Sequence, residues 1–469
     1  MSKTTSSGNG KILRKAGLLE MYHIARAAYG LDTGVIVSAR YTHPSGRLDK
    51  ETLYPAVRVL VQRNRALSVQ VRDSSSKKPL YIGLDSVDLS RIVHFHEETS
   101  EHLQAMYESY FLKPFEEDTK DPLWRVAVLS DNHVLFMYHH GIGDGQSGLA
   151  FHRQLLTALN ALPGGSPTKD VSPIVEIPSS LTFTLPVEKK TDLSVGLPVL
   201  WREVRDTFVP VKLRKANRAW TGKYVTKDKS LITRVRLLQL SPAEAEALLR
   251  VCRKHKTTFT GYFHTLGVVV LSDLIRTLAP KCKLMSTDIA ISLRRYTGTP
   301  ADAICDEVSG WYMLQPLAKP SRSADDIQAI VDNFPWERSE SFTSYIQKNL
   351  SKMAQVTGTL KFLFGNFKGY YEGKLNTKRG STYSLSNLGR FPSDKVSPDS
   401  SGGWHIDSMF FSQCDAVVGA AMKLSVSTAE NGAVGLGFSW GPNALDDDFA
   451  ERFVERFNAI MKAMIEKEK

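Results

Sequence analysis

The chain has 469 residues, 42 % of them hydrophobic and 23 % charged, with 60 Lys and Arg against 49 Asp and Glu for a net charge of +11. That length exceeds one ordinary core and predicts two domains, while the most apolar run, Phe263 to Ile275, is broken by Gly267, Ser272 and Asp273 and falls short of the ~18 residues that span a bilayer. Four scattered cysteines (Cys252, Cys282, Cys305, Cys414) make no CxxC pair, which argues against a zinc site or a disulfide framework and fits a reducing, cytoplasmic setting.

Taken in order, Met1 to Gly10 is polar and lacks the apolar centre of a secretory signal. Leu13 to Tyr29 carries helical apolar spacing, and Thr33 to Tyr41 reads as a strand. A helix over Leu53 to Asn64 and a strand over Leu67 to Arg72 follow. Leu123 to Leu129 and Val134 to Tyr138 are apolar throughout and joined by Ser-Asp-Asn, which predicts paired strands covered on both faces. A helix then carries Leu149, His152, Leu155, Leu156 and Leu159 on one face and ends at Pro163-Gly164-Gly165. From Asp170 to Tyr224 regularity is lost, apart from one helix expected near Trp201. Leu231 to Leu240 reads as a strand, and Ser241-Pro242-Ala243-Glu244 as a capped helix start. A buried helix over Phe263 to Leu278 follows, and then strands over Asp288 to Leu293, Thr382 to Leu385 and Ala433 to Trp440. The last helix has Phe449, Phe453, Phe457, Ile460 and Met464 at core spacing. The reading is α/β with mostly mixed sheets in two lobes, residues 1–175 and 226–469, linked by a crossover over 176–225.

Two basic clusters, Lys212/Arg214/Lys215/Arg218 and Lys374/Lys378/Arg379, suit either an ordinary basic surface or attraction to a phosphate-bearing ligand. No nucleic-acid motif accompanies them. Lys361 to Phe364 and Tyr370-Tyr371 mix basic and aromatic residues. Contact with a membrane surface is one reading of that stretch, and a half-buried helix and loop is the preferred one.

The run Tyr138-His139-His140-Gly141-Ile142-Gly143-Asp144-Gly145 concentrates chemistry where an apolar strand ends. An imidazole exchanges a proton near neutral pH, so a histidine facing a cleft there is a candidate general base. Adjacent strand residues face opposite ways, so only one of His139 and His140 serves, and His140 is the better placed. Gly141, Gly143 and Gly145 suggest a tight, unusual backbone. Asp144 either orients His140 or anchors the loop through a buried cation. His152 lies on the apolar face of the next helix and reads as a core or supporting histidine. No histidine pair has metal-ligand spacing with carboxylates, so no metal is expected.

With these residues in hand, the chain resembles the coenzyme-A-dependent acyltransferases, a superfamily that includes chloramphenicol acetyltransferases, the plant BAHD enzymes and peptide-synthetase condensation domains. The likeness rests on His139-His140-x-x-x-Asp144-Gly145, on Asp121-Pro122-Leu123-Trp124-Arg125 before it, and on Ser386-Asn387-Leu388-Gly389 in the second half. Leu19-Glu20-x-Tyr22 and the strand through Tyr41 look most like fungal alcohol acetyltransferases. The nearest match to the plant enzymes' DFGWG is Gly437-Phe438-Ser439-Trp440-Gly441, which lacks the aspartate and reads as a strand end.

The resemblance implies two pseudo-symmetric lobes with a tunnel between them, and acetyl-CoA or another acyl-CoA entering opposite a small hydrophobic alcohol or secondary metabolite. It implies His140 as base, and Asp144 paired with Arg294, or alternatively Arg295. His139 and Gly145 would support the motif, and Ser386 or Asn387 would line the oxyanion site or tunnel. A monomer without nucleic-acid partners is expected. A carrier-protein-dependent condensation reaction, an amine acceptor and a non-catalytic binding protein are the other readings.

Overall fold

The computed structural model describes residues 10–117, 119–162, 171–201, 215–227, 230–320, 326–391 and 403–468. Two large sheets dominate. The first has five strands in the order His405–Gln413, Val35–Thr42, His133–Tyr138, Trp124–Val128 and Val93–Phe95, antiparallel except for the last pair. Side chains alternate across it as a period of two requires. Val35, Val37, Val134 and Phe136 pack under the helices Lys50–Arg63 and Gly145–Ala161, whereas Ile36, Leu135 and Met137 pack under Leu103–Phe111. Every residue of His133–Tyr138 is therefore buried, as an apolar run without alternation predicts. Asn132, at φ 65°, makes the turn into that strand.

The second sheet follows the order Ala219–Trp220, Leu284–Ser292, Tyr383–Arg390, Met422–Thr428, Val434–Trp440 and Arg234–Leu240, with Val308–Pro316 also paired to Leu284–Ser292. Its apolar face is covered by the helices Pro242–Lys254, Phe259–Leu278 and Asp447–Glu468, whose Phe449, Phe453, Phe457, Ile460 and Met464 are all buried. Ser241 caps the first of these helices: its hydroxyl accepts from the Glu244 amide, and Glu244 accepts from the Ser241 amide. The mixed α/β architecture stands.

The strand His405–Gln413 lies late in the chain yet completes the first sheet, pairing with Val35–Thr42 along its length. It crosses Val434–Trp440 at backbone distance. A Cβ on Gly435 would strike the Met409 carbonyl, and one on Gly437 the Phe411 carbonyl, so the two glycines are what let the sheets meet.

Several expectations need correction. Leu13 to Tyr29 is not one helix: Lys11–Lys15 is a strand and the helix is Leu18–Ala28. Sequence reasoning missed the helices Leu103–Phe111 and Trp336–Ala354 and the strands Val308–Pro316, His405–Gln413 and Met422–Thr428. Residues 197–201 are helical, and the expected helix end at 163–165 lies outside the described residues. Among the described residues, no single helix is long and apolar enough to cross a membrane.

Candidate active site

The motif begins where strand His133–Tyr138 ends. His139 stays extended, and its Nδ1 accepts from the Gly141 amide at 2.9 Å. A short turn, His140–Ile142, follows. Asp144 then caps helix Gly145–Ala161 by accepting from the Ser147 amide at 3.0 Å. The Tyr138 hydroxyl donates to the Asp144 carbonyl at 2.6 Å, and Tyr81 donates to that of Gly141. The three motif glycines do not adopt left-handed backbone: none has positive φ, and Gly143 is extended at φ −168°. They supply space instead. A Cβ would lie 2.9 Å from Ile24 at Gly141 and 2.8 Å from Ser147 at Gly143, and at Gly145 it would strike Leu388.

Asp144 is saturated with partners. Oδ1 accepts from Arg294 Nη2 at 3.0 Å and from the Ser147 hydroxyl at 3.1 Å, and Oδ2 accepts from the Glu307 amide at 3.1 Å. Its own amide donates to the Cys305 carbonyl at 3.2 Å. Arg294 also donates to the carbonyls of Pro300 (3.2 Å) and Ala303 (2.8 Å). Residues 303–307 are thereby tied to the motif helix. Arg295 is exposed and stacks on Tyr296.

His140 faces the other way, with its side chain 11 % exposed. Its ring stacks on His23 at 3.7 Å between centroids and 3° between planes. Its Nδ1 lies 3.8 Å from Asp306 Oδ1, and His23 Nε2 lies 3.6 Å from Asp306 Oδ2. None of these four atoms has a hydrogen-bond partner, although all are buried. Behind them Arg26 donates to His23 Nδ1 at 3.2 Å and pairs with Asp32. Burial, and then the Arg26 charge, lower His140 to about 4. Burial likewise lowers His139 to about 4 and pushes His23 well below its ordinary value. It drives the Asp306 carboxyl well up, with Asp144 and Glu20 adding to the effect. The imidazoles are therefore neutral across the physiological range.

His23, His140 and Asp306 are the one group of donors, among the described residues, close enough to share a metal ion. The stacked rings do not fit one. An ion shared by two parallel rings with centroids 3.7 Å apart would sit off both planes, away from the in-plane nitrogen lone pairs.

The remaining candidates have contacts of their own. Asn387 donates to Thr260 at 3.1 Å and accepts from the Gly389 amide at 2.8 Å, so its amide shapes the turn. Ser386 is buried in strand Tyr383–Arg390. His152 is a satisfied core residue, bonded to Tyr41 at 2.9 Å and to the Val37 carbonyl at 3.0 Å. In the second basic cluster, Lys378 donates to the carbonyls of Asn217 and Ala219, and buried Arg379 to those of Val417 and Asn443. Those two cations hold backbone. Of the first cluster, Lys212 and Arg214 lie outside the described residues, as does the side chain of Lys215, and Arg218 is exposed. Tyr371 is buried and donates to the Tyr22 carbonyl at 2.8 Å, which packs the helix Phe367–Glu372 on Leu18–Ala28, while Phe364 is exposed.

Sequence reasoning missed His23, Asp306 and Ser147. His23 lies one position from Tyr22 of the N-terminal pattern and four from Leu19, on the buried face of its helix. That is a weak signal, and nothing around Asp306 marks it.

A family model for alcohol acetyltransferases matches residues 89–465. A probable alcohol acetyltransferase, FCK4, of Fusarium pseudograminearum is 24 % identical over 96 % of this chain and 95 % of its own length. Another, crmB, of Aspergillus fumigatus is 25 % identical over 85 % and 87 %. In fold, the chain is similar to TRI3 trichothecene 15-O-acetyltransferase from Fusarium sporotrichioides, with a TM-score of 0.71 at 14 % identity over 99 % of this chain and 97 % of that one. The condensation domain of the monacolin K polyketide synthase MokA matches at a TM-score of 0.59 and 11 % identity, over 97 % and 98 %. The chain belongs to the alcohol acetyltransferase family: it is an acyltransferase whose acceptor is an alcohol.

Proposed function

We propose that the enzyme transfers an acetyl group from acetyl-CoA to the hydroxyl of a small hydrophobic alcohol, with His140 as general base. One observation carries the reading: a neutral, partly open imidazole at the end of a buried strand, with its Nδ1 turned inward toward Asp306; in this reading Nε2 is the atom that meets the acceptor. In the proposed step the acceptor's proton passes to His140 Nε2 as its oxygen attacks the thioester carbonyl. The tetrahedral oxyanion collapses, the C–S bond breaks, and the Nε2 proton goes to the departing thiolate. Atoms and charge balance without an acyl-enzyme. Asp144 has no free oxygen for this chemistry and acts as an anchor. The acceptor class follows the family and the likeness to an enzyme that acetylates trichothecenes.

The test is incubation with acetyl-CoA and a panel of alcohols, with thiol release measured against ester formed. Equal, acceptor-dependent yields support the reading. Turnover with no acyl-CoA but with an acyl-loaded carrier protein would replace the donor, and full turnover by His140→Ala would remove the base.

A further inference from the structure

We infer that Asp306 and His23 form a positioning pair behind His140 that decides which of its ring nitrogens carries a proton. The inference rests on His140 being the base. Three observations carry it. The Asp306 side chain is fully buried, and neither of its oxygens has a hydrogen bond; each instead faces one imidazole nitrogen, at 3.6 Å and 3.8 Å. Next, His23 has its proton placed for it. A guanidinium only donates, so the Arg26 contact at 3.2 Å requires a bare Nδ1 on His23. The neutral ring then carries its hydrogen on Nε2, aimed at Asp306. Finally, the position of Asp306 is over-determined. Cys305 before it bonds the Asp144 amide and the Ser147 hydroxyl, and Glu307 after it bonds Asp144 Oδ2. Only the side chain between them is left to face the rings. The parallel stack of His23 on His140 fixes the plane in which that happens.

With Asp306 ionised, its Oδ2 receives the His23 Nε2 hydrogen and its Oδ1 attracts a hydrogen on His140 Nδ1. His140 Nε2 is then a bare lone pair, ready for the acceptor's proton. When that proton arrives, the imidazolium's Nδ1–H faces a carboxylate. When it leaves for the thiolate, Asp306 has neither gained nor lost a proton. The present separations are ion-pair distances that shorten as the charge develops, as catalytic contacts commonly do between the resting and reacting states. A proton on Asp306 Oδ1 reverses the arrangement. It is donated to His140 Nδ1 and leaves the hydrogen on Nε2, where the ring cannot act as base. Protonating Asp306 therefore switches the base off. The groups facing Asp306 are His23, Arg26 and Glu20 from the first helix, His140, Tyr138 and Asp144 from the motif, Tyr81, and its neighbour Glu307. Burial and the acidic members of this set raise its carboxyl above the ordinary range, so the switch falls at a higher pH than an ordinary carboxylate would give.

The test uses the full chain carrying Asp306→Asn, Asp306→Ala, Asp306→Glu and His23→Phe, with melting temperature measured for each. Asp306→Asn keeps the shape and removes the charge. It is expected to lower kcat about 100-fold or more with little change in KM for the alcohol. It should also abolish the acid-side step in the pH profile, and Asp306→Glu should recover part of the loss. His23→Phe keeps the stack and removes the N–H, for a fall of about three- to tenfold. A readout independent of turnover is the ring nitrogen shift of His140 in ¹⁵N-histidine protein: Nδ1–H in the parent, shifted toward Nε2–H in Asp306→Ala. Folded Asp306→Asn and Asp306→Ala with parental kcat, pH profile and His140 tautomer overturn the inference. If the parent proves inactive with acyl-CoA, or His140→Ala stays active, it is the general-base reading that fails, and the tautomer measurement still decides the role of Asp306.

Discussion

Two aspartates flank the motif's chemistry, and their surroundings are opposites. Asp144 has its carboxylate bonded to Arg294, Ser147 and the Glu307 amide. Asp306, the residue next after the Arg294 cradle at Ala303–Cys305, is as deeply buried, and its carboxyl has no hydrogen bond. A saturated buried carboxylate is a fastener, because moving it would orphan several partners at once. An unsatisfied one is costly and persists where it serves chemistry or is held in place by neighbours. The motif residue therefore builds, and the residue that no motif marks stands next to the ring proposed as base.

The comparison can be broken at several points. The largest effect is expected from His140→Ala, which should lower acceptor-dependent turnover by about 10²- to 10⁴-fold while the melting temperature holds; retained turnover would empty the chemical side of the contrast. Next comes the fastener. Arg294→Ala leaves Asp144 a buried, uncompensated charge and should cost about 3–5 kcal/mol in urea unfolding, whereas exposed Arg295→Ala should stay within about 0.5 kcal/mol. Asp144→Ala with parental stability but lost activity would move Asp144 to the chemical side. Third, the Ser147 hydroxyl joins Asp144 to Cys305, so Ser147→Ala should cost about 1–3 kcal/mol, read from the same unfolding curves.

The smallest effect is one of pH on stability. His139, His140 and His152 are each held near a pKa of about 4, below the free value of ~6.5. In that window the unfolded chain binds protons the fold excludes. The contribution of these three rings should therefore be level above about pH 6.5 and fall as pH drops toward 4, opposite in sign to that of the raised Asp306 carboxyl. Denaturant midpoints unchanged from pH 7 to pH 5 would show that the rings are not held neutral.

What could be read from residues alone follows from how local each signal is. The strand His133–Tyr138, the capped helix at Ser241 and the aromatic stripe from Phe449 to Met464 declare themselves through runs and periods that need no partner. The candidate base was legible because His140, Asp144 and the glycines lie within one short segment. Arg294 was reachable from the family's habit of pairing that aspartate. Asp306 was not, because its environment is made by a helix nearly 300 residues earlier and by a motif about 160 residues earlier, and a lone Asp between Cys305 and Glu307 carries no period and no spacing. The glycines were legible as glycines and misread as to purpose. Their neighbours Ile24 and Leu388 come from distant parts of the chain, so the need for room at those positions cannot be seen along the sequence.

The late strand His405–Gln413 has a consequence for biosynthesis. Its partner Val35–Thr42 leaves the ribosome roughly 380 residues ahead of it, a delay of roughly 20–75 s at ordinary elongation rates. Until then the nascent first sheet presents the unpaired edge of an apolar strand, the feature that recruits foreign strands. The contact that closes it is among the longest in the chain, and topology of that kind slows folding. The enzyme thus spends its synthesis with one seam open, and the last third of translation determines whether the first third stays soluble.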